Sequence, residues 1–273
     1  MTHRPGLRVP GPDPEGAVSF TVIDKDLPAS RPLTATNGQR AMVAPGLRSA
    51  TDVAMQAIVD YIRDNHLKVG DALPSELTIV EALQLSRSSV REAIRTLVSL
   101  DILEVRRGFG TFVADMSLEP LVNGLTLRIT LDTDHARDRL IDVVDTRQAL
   151  DLQTAGDVIM HRDDVDRAFL EGLIDQMKDA VTRNEPFMEP DSLFHDHLLS
   201  VTGNGLIREL SAALWRVHMV AIPQLRVTTR DNLEHTVNAH QKLVDAIVAG
   251  DEEAYRRAVV EHYAPLREAL GER

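Results

Sequence analysis

The stretch LPSELTIVEALQLSRSSVREAIRTL, Leu73 to Leu97, contains two helix starts with very little chain between them. Ser75 precedes a short run carrying Leu77, Val80 and Leu83, and a serine there can accept from the free amides of a first turn. Ser86 precedes a second run whose apolar residues, Val90, Ala93, Ile94, Leu97 and Val98, repeat at helical spacing. Opposite them Arg87, Arg91 and Arg95 fall on one face. Such a stripe is commonly no more than a solvated face with ordinary charge pairs. A short helix, a tight turn and a second, basic helix are also what entry into the DNA major groove requires.

The flanking sequence favours the second explanation. Upstream, Val53, Ala57, Ile58, Tyr61 and Ile62 form another helical repeat, closed by Gly70 and Pro74. Downstream, ILEVRRGFGTFV (Ile102–Val113) reads as two short strands around a glycine turn, with Arg106 and Arg107 beside Gly108 at the tip. Three helices and a hairpin predict a winged helix-turn-helix domain. The start of its third helix can offer side chains to base edges, and hydroxyls and free amides to phosphates. The basic hairpin tip can follow the backbone or the minor groove.

Charge is unevenly spread over the 273 residues. The formal net charge is -12, which weakly opposes nucleic-acid binding, but seventeen Lys and Arg against twenty-eight Asp and Glu fall after residue 115. Between residues 86 and 110 there are five arginines and three acids, so a basic face is available locally. Cysteine is absent, which excludes disulfides and thiolate metal sites and fits a reducing compartment. No run is long and apolar enough for a transmembrane helix, and the N-terminus has no signal-peptide core; a cytoplasmic location without membrane contact is expected.

Composition also sets the expected boundaries. Residues 1–48 hold seven of the thirteen prolines and no helical period, and are expected to be a disordered extension. Residues 49–115 form the winged helix-turn-helix. Residues 116–273 carry only helical patterns, over 118–130, 137–160, 163–183, 188–201, 204–228, 232–249 and 251–270. The fold class is therefore mainly α: an N-terminal winged helix-turn-helix followed by an all-α bundle of six or seven helices.

Histidines in that bundle suggest chemistry. In DSLFHDHLL, Asp191 and His195 are four apart and share a helix face. His240 lies about ten residues before the AGD turn at 249–251, and His262 about eleven after it. An antiparallel helix pair brings these two to a similar height. Three imidazoles and a carboxylate converging inside a bundle suit a divalent transition metal of the zinc, nickel or manganese class, with positions left for water or a ligand. A single histidine on a helix is more often an ordinary hydrogen-bonded residue, and His218 and His235 are read that way. Arg147, on a helix of the bundle, either clamps the carboxylate of an organic-acid ligand or pairs with Asp145, Asp151 or another acid. Asn204 either points its amide at the same cavity or caps the next helix.

Two family resemblances enter on these residues. VGDALPSE at 69–76, LSRSSVREAIRTL at 85–97 and RRGFGTFV at 106–113 resemble the DNA-binding domain of GntR-family bacterial transcription regulators. That resemblance implies DNA contacts from Ser86, Arg87, Ser88 and Arg91, and from Arg107 and Gly108 at the wing tip. Leu77 departs from the basic or polar residue common after the LPSE glutamate, so no contact is carried to it. DVVDTRQALD (142–151), DSLFHDHLLSVTGN (191–204), AHQKLVDAIVAGD (239–251) and EHYAPL (261–266) resemble the FCD effector domain of the FadR-type branch. In metal-binding members the ligands correspond to Asp191, His195, His240 and His262, all present here. Asp151 stands where the family usually has Glu, and Pro265 can kink the last helix just past His262.

The expected function is that of a ligand-responsive, non-enzymatic transcription regulator: a homodimer on a palindromic double-stranded DNA operator, its affinity modulated by a small carboxylate near the metal. Two alternatives stand beside it. One is an all-α metalloenzyme of the HD hydrolase type, suggested by the adjacent His195 and Asp196, although Asp196 points about 100° around the helix from His195. The other is a sensor for which the metal itself is the signal.

Overall fold

A computed structural model describes residues 33, 49–225 and 230–271, with side chains throughout except at 224, 225 and 230–232. Helix α1 (Ala50–Asp64) starts at Ser49, whose side chain accepts from the Asp52 amide while Asp52 accepts from the Ser49 amide. This reciprocal cap satisfies two amides that the helix cannot. Helices α2 (Glu76–Leu83) and α3 (Arg87–Ser99) start at the serines expected, Ser75 and Ser86, which accept from Thr78 and Ser89. Strands β1 (Leu103–Arg106) and β2 (Gly110–Val113) pair antiparallel, Leu103 opposite Val113.

A feature of the hairpin escaped the sequence reading. The segment after α1 runs alongside β2, with Ala72 bridged to Phe112 and Leu73 N–H donating to Thr111. Strand β2 is thus held along both sides, and Gly70, at φ +86°, makes the bend that permits it. Ala54, Ile58, Ile79, Val90, Leu97, Leu103 and Val113 close the first core. Val98, expected on the apolar side of α3, is exposed. Of residues 1–48 only Leu33 is described, and it is buried in this same core. The remainder of that extension, including the strand-like VSFTVID, lies outside the described residues.

Where the chain leaves the wing, Ser117 donates its amide and hydroxyl to the carboxylate of Asp101, which stands just before β1. Seven helices follow among the described residues: α4 (Glu119–Leu131), α5 (Ala136–Met160), α6 (Arg167–Arg183), α7 (Met188–Ser200), α8 (Gly205–Leu225), α9 (Arg230–Ala249) and α10 (Glu252–Leu270). Helix α6 starts later than residue 163 because a 3-10 turn (Arg162–Asp164) intervenes and Asp166 is the cap, accepting from Phe169. Helix α10 runs through Pro265 to Leu270. Helices α9 and α10 form the antiparallel pair, turning at Gly250 (φ +66°) with Asp251 capping α10. Helix α5 packs on α8 and α10, and α7 on α6 and α8. A second core of Leu140, Val144, Leu170, Ile174, Phe194, Val217 and Leu243 binds them; full burial of each such side chain contributes about 1.5–3 kcal/mol.

A buried histidine–aspartate cluster, a cavity and an exposed basic face

Four side chains from three helices meet inside the second core. Asp191 and His195 come from successive turns of α7, His240 from α9 and His262 from α10; all four are buried. One ligand-type atom from each can be chosen so that all lie within 4.8 Å of one another, a group that could hold a metal ion. The height match inferred from the α9–α10 turn is therefore what the fold produces, with the imidazole centroids of His240 and His262 4.6 Å apart.

The hydrogen bonds around the cluster orient its lone pairs. His240 Nδ1 lies 2.8 Å from the Thr236 carbonyl oxygen, to which it can only donate. In a neutral ring that bond would leave the lone pair on Nε2, which lies 3.1 Å from Asp191 Oδ1 without hydrogen-bond alignment. Asp191 Oδ2 accepts from the Trp215 indole N–H, which leaves Oδ1 for the cluster. His195 Nε2, His240 Nε2 and His262 Nδ1 are all buried without a hydrogen-bond partner. Orphaned buried groups of this kind are costly, and three gathered around one carboxylate could hold a cation.

Electrostatics favour the metal-binding protonation states. Burial, aided by His240 and Arg147 against Asp191, pushes His195 down to about 3. Burial and the neighbouring imidazoles hold His262 well below its ordinary value. Burial alone would raise Asp191, but His240, His195 and His262 outweigh it and hold the carboxyl well below the usual range. Neutral imidazoles with an ionised carboxylate are what coordination needs. Asp151, buried, accepts from the Tyr263 hydroxyl at 2.7 Å and lies 3.9 Å from His195 Nδ1, where it can steady that ring.

Beside the cluster opens a cavity of about 430 Å³ whose lining includes Asp191, His262, Arg147, His218 and Tyr263. Arg147 is only 2% exposed. Its guanidinium bonds His218 Nδ1 at 2.9 Å and lies 5.3 Å from the centre of the Tyr263 ring, while its Nε has no partner. Neither carboxylate considered for it makes a contact ion pair with it: Asp145 pairs with Arg267 and Asp151 with the Tyr263 hydroxyl, although the Arg147 charge is near enough to oppose the rise that burial imposes on Asp151. Arg147 has no ion pair among the described residues. Asn204 is exposed and caps α8, its Oδ1 accepting from Ile207, and it does not line the cavity. The side chain is committed to the free amides of that helix, so the cavity role expected for it is corrected.

Two contributors were missed. His218, read as an ordinary core residue, is buried beside Arg147 and is pushed to about 3 by burial and then by that guanidinium. Trp215 holds the cluster carboxylate. Ser211, Leu214, Trp215 and His218 share one face of α8 at spacings of three and four, which was the signal available. His235 is exposed, as expected of an ordinary residue. Asp196 points away from the cluster into a two-bond ion pair with Arg208, so His195 and Asp196 cannot ligate together as hydrolase chemistry of the HD type demands.

On the first unit Arg87, Arg91 and Arg95 are exposed along α3 while Val90, Ala93, Ile94 and Leu97 are buried. Arg91 is held by Glu76 of α2 at 2.9 Å. The Ser86 and Ser88 hydroxyls lie 2.8 Å apart at the helix start. Arg87 and Arg107 make no ion pair among the described residues. Gly108, at φ +81°, forms the wing tip, open on all sides where a Cβ would stand. Arg106 is instead occupied, paired with Glu104 and stacked over Phe112. Leu77 is half exposed next to Glu76, with nothing polar to offer DNA.

Comparison with known proteins agrees with both halves. Residues 50–113 match the bacterial regulatory proteins of the gntR family, and residues 142–265 match the FCD domain. The chain is 40% identical over 107 residues, 39% of its length, to a transcriptional regulatory protein of Micromonospora viridifaciens, NedR, of which it covers 77%. It is 22% identical to the HTH-type transcriptional regulator LutR of Bacillus subtilis, over 77% of this chain and 95% of that one. With the galactonate operon transcriptional repressor of Escherichia coli it shares 24% identity, over 74% and 89%. A solved GntR structure from Streptococcus agalactiae superposes with a TM-score of 0.56 at 26% identity, covering 80% of this chain and 99% of that one. No described helix is long and apolar enough to cross a membrane.

Proposed function

The chain belongs to the GntR family of bacterial transcriptional regulators and carries an FCD domain, and we propose from this that a small carboxylate, bound beside a divalent cation in its second unit, sets its affinity for an operator. Regulation of transcription through DNA follows from the family; the control is the proposal. Three buried imidazole nitrogens without partners, gathered with Asp191 Oδ1 at the edge of a cavity that also holds the unpaired Arg147, carry this reading.

Asp191, His195, His240 and His262 would hold the cation, and a set of three nitrogens and one oxygen suits zinc, nickel or manganese. A cation there would supply fixed positive charge at the cavity wall. Arg147 receives the ligand carboxylate, since its planar fork can bond both oxygens. His218, kept neutral, aims that fork through its bond to NH1. The relative named for a galactonate operon is consistent with an organic acid as signal. Carboxylate binding alters operator affinity only if it is tighter in one arrangement of the regulator than in another.

Operator contact falls to Ser86, Arg87, Ser88 and Arg91 at the start of α3 and to Arg107 and Gly108 at the wing tip. A homodimer would present two such surfaces to a palindromic site. A pure metal sensor is the weaker alternative, because it leaves Arg147 and the cavity without a role. Elemental analysis with an operator titration tests the proposal. About one metal per chain is expected, and His240→Ala should lower both metal content and melting temperature. A metal-free protein whose operator binding still responds to a carboxylate would rule out the cation, and one that responds to added metal alone would favour the sensor.

A further inference from the structure

The cavity has a direction. On α10, His262 stands at the cluster, Leu266 one turn further and Ala269 two turns further along the same face. On α8, His218 is followed one turn later by Ile222. On α7 and α9 the order runs towards the N-terminus: Asp191 is preceded by Met188, and Thr236, one turn before the cluster's His240, by Leu233. At 1.5 Å per residue, α7, α8 and α10 therefore place their polar group at one end of the cavity and apolar side chains roughly 5–10 Å away, with Asn184 and Glu185 also on the wall. Thr236 spends its carbonyl on His240, and Glu185, exposed at the wall, is paired with Arg183.

We propose that the cavity selects carboxylates with an apolar body, medium-chain or arylalkyl acids, over short and polyhydroxylated ones. The proposal rests on Arg147 anchoring the carboxylate. Taking about 30 Å³ for each water-sized unit, 430 Å³ has room for at least about fourteen non-hydrogen atoms. Lactate would leave more than half of that space unfilled. Galactonate would fill it but set most hydroxyls among Met188, Ile222, Leu233 and Leu266, with only Asn184, Glu185 and Thr236 of the wall to replace water. An alkyl or aryl body meets that wall with apolar surface throughout.

Calorimetric titration of the full-length protein as purified tests this, with acetate, butanoate, hexanoate, octanoate, galactonate and octanamide as probes. Affinity should rise about threefold to fourfold per methylene, on the order of a hundredfold from butanoate to octanoate. Galactonate and octanamide should each bind at least about tenfold more weakly than octanoate. A flat chain-length series, or galactonate binding more tightly than octanoate, overturns the apolar body and leaves the carboxylate anchor standing. Octanamide binding as well as octanoate overturns the anchor, and the proposal with it. Ala269→Phe, which fills the apolar end, should cost octanoate about tenfold or more and leave acetate unchanged. Equal octanoate affinity in that variant also overturns the proposal, and the parent series decides alone if the variant does not fold.

Discussion

Replacing Arg147 by Met separates a ligand clamp from a structural ion. The side chain is almost wholly buried, has one hydrogen bond, to His218, and has no ion pair among the described residues. Losing a hydrogen bond to a charged group costs about 1.5–3 kcal/mol. Removing a buried guanidinium without a contact ion pair relieves a desolvation penalty of several kcal/mol, less its attraction to Asp151, and methionine refills much of the volume. The two terms oppose each other at similar size, so ligand-free stability of Arg147→Met should lie within about 2 kcal/mol of the parent. Had Arg147 been locked to a buried aspartate, breaking the pair would cost about 3–5 kcal/mol. Octanoate binding should meanwhile fall by roughly tenfold to a hundredfold and more, the loss of one or two charge-assisted bonds. Urea unfolding followed by helicity, with calorimetry of octanoate, measures both quantities. A ligand-free loss above about 3 kcal/mol, or undiminished octanoate affinity, refutes the reasoning.

Other consequences are independent of that variant. Arg87→Ala and Arg91→Ala should each cost about 1–3 kcal/mol of specific operator binding in footprinting, with helicity intact because both residues are exposed; parental affinity in both would remove α3 from the interface. His195 and His218, both held at about 3 against an ordinary 6.5, refuse protons that the unfolded chain accepts. Stability of the chelator-treated protein is therefore full above pH 6.5 and lost as pH falls from 6.5 towards 3, each histidine costing about 1.4 kcal/mol between about pH 7.5 and about pH 5.5. Urea midpoints unchanged over that interval would contradict their burial as neutral rings. Deleting residues 1–41 should destabilise the first unit by about 1–3 kcal/mol, because Leu33 is lost from its core; a melting curve identical to the full chain would show that contact to be dispensable.

Local chemistry made most of the elements readable in advance. Ser75 and Ser86 cap where a serine before an apolar repeat should, and the arginine stripe is exposed because its opposite face is the only one able to reach the core. Asp191 and His195 were legible as a pair because helical geometry relates positions four apart whatever surrounds them. His240 and His262 became legible through one turn, Gly250, that folds two helices onto each other. Nothing periodic relates α8 to α5, so the meeting of His218 with Arg147 across 71 positions, and of Trp215 with Asp191, came only with packing. The same holds for whether Arg147 is paired: Asp145 and Asp151 lie within one turn of it, yet the tertiary structure gives them to Arg267 and Tyr263. Asn204 shows the limit from the other side, since a cap and a cavity ligand look alike until the neighbouring helices place the cavity elsewhere. Sequence by itself determined which residues share a helix face, because that depends on a fixed backbone repeat; which faces meet, and which buried charges are left without partners, was decided by the packing of distant helices.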